Sequence, residues 1–304
     1  MLSSTREALA GALWTPTFEL VPLKNAMDQA RFLPPGARVA VTASPTKPIE
    51  STVTLAERLE AAGFRAVPHL SARMIRDHAH LRELAARLKG AGIDRAFVVG
   101  GDPKQHGAFP DGLSLLRALE ETAPHIVELG IPCYPQGHPF ITDDVLLQSL
   151  REKAACASYM TTQLCFEPEA IISWLAARRA EGISVPVHVG IPGAPDPHRL
   201  LAIGARIGVA DTHRFLTKNL RFVARLVRSG VYYRPDGLLE ALAPQLADAR
   251  AGVVGLHLFT FNAVEATEAW RRRYLARIGI APPIHEAVVH MRARESPRVP
   301  SDVP

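Results

Sequence analysis

Eight short apolar runs alternate with amphipathic stretches along the chain, and this alternation restricts the fold more than any other feature. The runs are residues 14–20, 37–44, 64–70, 94–101, 130–135, 158–166, 185–193 and 252–261. Helix-like segments lie between nearly all of them. "STVTLAERLEAAG" offers Ser51 as an N-cap and Gly63 as a C-cap. "DGLSLLRALEETA", "DDVLLQSLREKAA" and "EPEAIISWLAARRAEG" carry apolar residues three and four apart. The seventh connection is longer and holds two helical stretches, 211–229 and 237–248. A strand–helix unit repeated eight times predicts a single closed (β/α)8 TIM barrel with its helices outside. One run miscounted would instead leave an open doubly wound sheet. The expected barrel covers residues 1–283, with 284–304 as a trailing segment whose tip is flexible.

Composition narrows the class. A chain of 304 residues with 47% hydrophobic content is large enough for one barrel core. No run of about 18 apolar residues is present, so no membrane span is expected. The start, "MLSSTREALAGALW", lacks a clear cleavage site and reads as no signal peptide. Three cysteines without metal spacing suit a reducing cytoplasm. The formal net charge of +5 fits anionic small molecules. Nucleic acid would call for a basic patch interleaved with aromatics, and none is seen, so no such partner is expected. The arginines of "WRRRYLARIG" and "MRARESPR" read as a solvated face and a loose tail. Oligomeric state is not legible.

Barrel enzymes place their chemistry at the carboxyl ends of the strands. There the runs offer Glu19, Thr42, His69, Asp102, Tyr134 with His138, Thr162 with Gln163, and Thr260 with Asn262. Polar groups recurring at one end of apolar runs are what a pocket produces. "VVGGDP" is the sharpest case: a buried strand ends in Gly100, Gly101 and Asp102. Either this is a turn with a solvated carboxylate, or it brings a carboxylate to a place where the backbone closely approaches a ligand. No nucleophilic serine elbow, Cys–His pattern or phosphate-binding loop is present. His78 and His80 form an H-x-H pair where a helix begins, which reads as solvated, and no metal is expected. What remains is carboxylate chemistry with amide and hydroxyl positioning groups, suited to proton transfer on a bound heterocycle.

In order, the segments "FELVPLK", "VAVTAS", "AVPHLS", "VVGGDP", "CYPQGHP", "TTQLCF", "VHVGIPG" and "LHLFTFN" resemble the methylenetetrahydrofolate reductase family, over residues 18–270. The resemblance implies reduction of 5,10-methylenetetrahydrofolate to 5-methyltetrahydrofolate. It implies that Glu19 is the proton donor, that Asp102 binds the pterin, and that Gln163 and Asn262 bind folate. It places Thr42, His69, Gly101, Tyr134 and His138 at cofactor-holding positions. The sequence also departs from the family pattern. "ASPTKP", 43–48, replaces a Gly-rich loop, Gly100 and Ala263 replace arginines, and the phosphate-reaching Lys aligns near Glu152 or Lys153. The folate side is kept and the flavin side eroded. That asymmetry is similar to a short, flavin-independent actinobacterial branch, in which NADH or NADPH passes hydride directly to the folate and FAD is absent. A conventional FAD-dependent reductase, and a non-redox folate-binding barrel serving a methyltransferase, are the alternatives.

Overall fold

The structure, a computed structural model, describes residues 3–101, 107–138, 140–194 and 235–279. Eight parallel strands close into a barrel in chain order: β1 (Thr17–Leu20), β2 (Arg38–Val41), β3 (Arg65–Ser71), β4 (Arg95–Val99), β5 (Glu128–Cys133), β6 (Tyr159–Thr162), β7 (Val187–Pro192) and β8 (Val253–Phe259). β8 returns to β1, with Thr17 opposite His257 and Glu19 opposite Phe259. The open-sheet alternative therefore falls away. Around the barrel lie α1 (Ser3–Trp14), α2 (Ala26–Ala30), α3 (Ile49–Ala61), α4 (His78–Gly90), α5 (Gly112–Thr122), α6 (Asp143–Ala154), α7 (Pro168–Ala180), α8 (Asp236–Ala247) and α9 (Val264–Arg277).

Strand parity divides the interior in two. One set of side chains, including Phe18, Val39, Val41, Leu70, Val98, Ile131, Val189 and Leu258, joins the helices in the main core. The other set faces the lumen, where Val67, Phe97 and Tyr159 form a separate small cluster. Arg38 on β2 reaches Glu128 on β5 through two hydrogen bonds, Nη1 to Oε2 at 3.0 Å and Nη2 to Oε1 at 2.5 Å. These strands are not neighbours, so the pair spans the lumen. The Arg38 guanidinium also lies 5.2 Å from the centroid of the Tyr159 ring.

Helices stop where the chain must turn back into a strand. After α3, Gly63 adopts φ 86°, its N–H bonds Glu60 O, and Phe64 N–H bonds Leu59 O. This double bond is a Schellman cap, and its left-handed residue is the reason for a glycine there. The same pairing recurs at Gly92 and Gly182.

Several boundaries differ from the sequence reading. Trp14 ends a helix rather than opening a strand, and α1, which packs on α8 and β8, was not foreseen. The N-cap of α3 is Pro48 with no side-chain cap bond, so Ser51 lies inside the first turn. His80 is buried rather than solvated. Its Nδ1 accepts from Arg76 N–H, leaving Nε2 to donate to Glu50 Oε1 at 3.0 Å. His78 is exposed as expected. The stretch 237–248 forms α8, whereas 211–229 and the trailing segment 284–304 lie outside the described residues. All three cysteines are free. Among the described residues no helix is long and apolar enough to cross a membrane, and no group of three or more His, Cys, Asp or Glu could hold a metal ion.

The arginine-rich α9 is only partly solvated. Arg271 is 6% exposed, pairs with both carboxylate oxygens of Glu268 at 2.6 and 2.7 Å, and donates to Leu13 O. The terminal helix is thereby tied to α1. Removing one partner of a buried pair strands the other charge, at about 3–5 kcal/mol. Glu268→Ala is therefore expected to lower unfolding free energy by about that much in urea titrations. Arg250→Ala, at a side chain 91% exposed, should leave the midpoint within scatter.

Candidate functional site

Glu19, the third residue of β1, has the parity of the lumen-facing set and is 8% exposed. Its Oε2 lies 3.3 Å from His257 Nε2 on β8. His69, on β3, packs its ring 4.7 Å from that of Phe97. Burial, and secondarily repulsion from His257, pushes the His69 pKa down to about 3, so the imidazole is neutral. His188, on β7, is likewise pushed down to about 4, by burial first and then by Arg38.

Toward the carboxyl ends of β2 and β3, Thr42 Oγ1, His69 Nε2 and Ser71 Oγ are buried with no hydrogen-bond partner among the described residues; Arg38 Nε, at the other end of β2, is a further such atom. Thr42 directly follows β2, whose Val41 is opposite Pro68, so Thr42 stands at the level of His69. Buried polar groups are rarely left unbonded. The grouping of the first three toward the carboxyl ends of β2 and β3 marks a place that a ligand's polar atoms would complete.

The β1 and β8 ends are locked together. Thr260 Oγ1 donates to Glu19 O at 2.5 Å and accepts from Asn262 N–H. Asn262 Oδ1 accepts from Val21 N–H at 2.8 Å, and its Nδ2 donates to Val21 O at 3.0 Å. Phe261 and Asn262 both hold positive φ, 50° and 54°, an unfavourable backbone that these bonds stabilise. Asn262, expected to touch substrate, thus has its amide engaged with Val21 at 1% exposure.

The other expected residues are distributed around the same mouth. Gly101 adopts φ 91°, a conformation only glycine takes readily, and Gly100 O accepts from Arg73 N–H, pinning the turn after β4. Asp102 lies outside the described residues. Tyr134 follows β5, and its ring meets His138 edge-on at 5.3 Å. Gln163 follows β6, anchors its N–H on Cys133 O, and carries an exposed side chain whose Oε1 accepts from Leu164 N–H.

Loop 43–48 is a self-bonded turn. Ser44 Oγ and Thr46 Oγ1 are 3.0 Å apart, Lys47 N–H bonds Ser44 O, and the Lys47 ammonium donates to Pro22 O. It contains no glycine. Lys153 packs near Gly112 in the wall between α5 and α6, its pKa lowered chiefly by burial. Gly100 has no side chain. Among the described residues, this set offers a flavin diphosphate no glycine in loop 43–48 and no side chain at position 100, and its Lys47 is held on Pro22 O.

The reading from sequence overlooked His257. It sits within "LHLF" and was absorbed into an apolar strand. Its parity, shared with Gly255 and Phe259, would have turned it to the lumen.

A parallel α/β barrel with a buried carboxyl, a facing imidazole and unsatisfied polar atoms at its carboxyl mouth has the layout of a barrel enzyme. The chain belongs to the methylenetetrahydrofolate reductase family, whose model matches residues 20–194, more than half of its length. That membership makes it a reductase of the folate type. Similar solved structures are more distant. A phosphoenolpyruvate phosphomutase from Streptomyces platensis subsp. rosaceus is 11% identical, with 94% of this chain and 91% of that one covered and a TM-score of 0.44. A Ruminococcus gnavus sialic acid aldolase is 14% identical, with 62% and 64% covered and a TM-score of 0.41.

The neutral His69 makes stability depend on pH. Its folded pKa near 3 lies below the ordinary 6.5, so between these values the unfolded chain binds a proton that the native state does not. The stabilisation is complete above about pH 6.5 and declines as pH falls toward 3. In urea titrations from pH 6.5 to 4.5, His69→Asn is expected to flatten the fall in stability by up to about 1.4 kcal/mol per pH unit.

Proposed function

We propose that this protein reduces 5,10-methylenetetrahydrofolate to 5-methyltetrahydrofolate with NADH or NADPH as the direct hydride donor. The observation that carries the reading is the buried Glu19 carboxyl at the carboxyl mouth of the barrel, in a chain whose family acts on this folate. The five-membered ring of the substrate opens when N10 takes a proton. Glu19 supplies it. The resulting iminium carbon then accepts hydride, and the products are the methyl folate and oxidised nicotinamide. Asp102 serves to favour positive charge on the iminium and to bind the pterin edge. Gln163, exposed beside β6, adds an amide contact. Asn262 acts through Val21, keeping the β1 loop in register with the acid.

Direct transfer is supported by the self-bonded loop 43–48, by Lys47 held on Pro22 O, and by Gly100. Nicotinamide C4 would then lie about 3–3.5 Å from the methylene carbon. Thr42, His69, Tyr134 and His138 would line its pocket, where the unbonded Thr42 hydroxyl and His69 Nε2 suit the amide and ribose. A flavin-dependent reductase is the second reading, because the same unbonded atoms stand at positions that hold flavin in the family.

Two measurements test this. Protein purified without added cofactor should show no visible flavin absorption, and it should oxidise NADH or NADPH only when methylene-folate is present. A yellow protein, or activity that needs added FAD, would overturn direct transfer. Glu19→Gln should lower kcat by about 10²- to 10⁴-fold while folate binding persists. Asp102→Asn should weaken both binding and rate. Near-normal turnover in the Glu19 variant would move the acid role elsewhere.

A further inference from the structure

A general acid must be loaded with a proton before each turnover, and Glu19 is nearly closed off from water. The side-chain partner that the structure gives it is His257, 4% exposed and contributed from the far end of the chain. His257 packs its ring 4.8 Å from Phe259. The titratable and charged groups around this pair come from the other lumen-facing strands. They are His69 on β3, His188 on β7, Tyr159 on β6 and the Arg38–Glu128 pair joining β2 to β5.

These neighbours leave one place for a lumen proton. Arg38 and Glu128 neutralise each other. His69 and His188 are held neutral, and their coupling to His257 is repulsive when charged. Among the described residues His257 is the one of the three whose ring nitrogen lies at hydrogen-bond distance from a carboxylate, whereas His188 feels Glu128 only at longer range and beside Arg38. A carboxyl and an imidazole in contact are placed to pass one proton between them.

We propose that His257 is the proton store and positioning residue for Glu19. One proton is shared between Glu19 Oε2 and His257 Nε2. It leaves through the carboxyl group to N10 of the folate as the N10–methylene bond breaks. Glu19 remains as carboxylate beside a neutral imidazole. The pair takes one proton from water after product release, which restores the balance. His257 does not touch the folate; it sets the protonation of the group that does. This inference rests on the reductase reading given above.

His257→Gln keeps a nitrogen donor of similar reach but cannot hold the proton. The test measures kcat and KM against pH for wild type and His257→Gln, with far-UV circular dichroism to confirm folding. The expected result is a kcat about 10²-fold lower, KM little changed, and an alkaline limb of the kcat profile moved to lower pH. Wild-type kcat in the variant overturns the proposal. So does a uniform drop with an unmoved limb, which would mean simple support of the fold. If His257→Gln does not fold, nitrogen-15 histidine NMR of the wild type and Glu19→Gln decides the matter. The His257 titration should move to lower pH once its carboxylate partner is gone, and an unmoved titration refutes the shared proton. A wild type with no methylene-folate reductase activity would refute the function proposed above, while the NMR comparison would still report on the pair.

Discussion

The lumen of this barrel holds a buried ion pair beside a small apolar cluster, and that Arg38–Glu128 pair is the strut on which the arrangement depends. The two charges meet across the barrel, with the Tyr159 ring over the guanidinium and His188 edge-on to Tyr159 at 5.1 Å. Without Glu128, Arg38 would be an uncompensated charge at 15% side-chain exposure, which proteins accommodate only at high cost. With it, the remaining lumen need hold only neutral rings and small side chains. Burial keeps His69 and His188 uncharged, and Glu19 and His257 are left as a second interacting pair. Support and chemistry share one channel, separated by the pairing of charges.

Much of the fold was legible because two periodicities coincide. Helices read through apolar spacing of three and four, and strands through short apolar runs, so most of the connections were legible, whereas the short α2 in the first was not. What failed were the ends. Trp14 belongs to α1 because an amphipathic helix continues through it, whereas the residue is equally good in a strand. Ser51 looked like a cap, but Pro48 starts the helix earlier, since proline loses nothing at a position where no N–H partner exists. Arg271 looked solvated because Glu268, three residues before it, reads as an ordinary surface partner, while the bond to Leu13 O that accompanies its burial spans 258 residues and has no local pattern.

The site was legible to the extent that its residues stand at strand ends. Glu19, Thr42, His69, Tyr134 and Gln163 all gather at one mouth, and the family match covers most of them. Asn262 was recognisable as polar at a strand end, but its engagement with Val21 follows from the left-handed backbone at Phe261 and Asn262, which sequence does not display. His257 was missed for a different reason. A histidine flanked by leucines reads as strand filler until the direction of each side chain is counted from a fixed reference, here Glu19 on the neighbouring strand.

Three hydrogen bonds beside the acid join the first strand and its loop to the last. Glu19 meets His257, Thr260 bonds Glu19 O and Asn262 bonds Val21, at separations of 238 to 241 residues. A ribosome delivers these partners last. Until β8 emerges, the growing sheet has two open edges, β1 and its most recent strand, and both present unpaired backbone to other chains. Contacts this distant in sequence are also the slowest to form. Closure of the ring and assembly of the carboxyl–imidazole pair are thus one and the same contact between β1 and β8. A barrel lacking β8 would present Glu19 without His257 or Thr260, so the surroundings of the acid exist only in the closed ring.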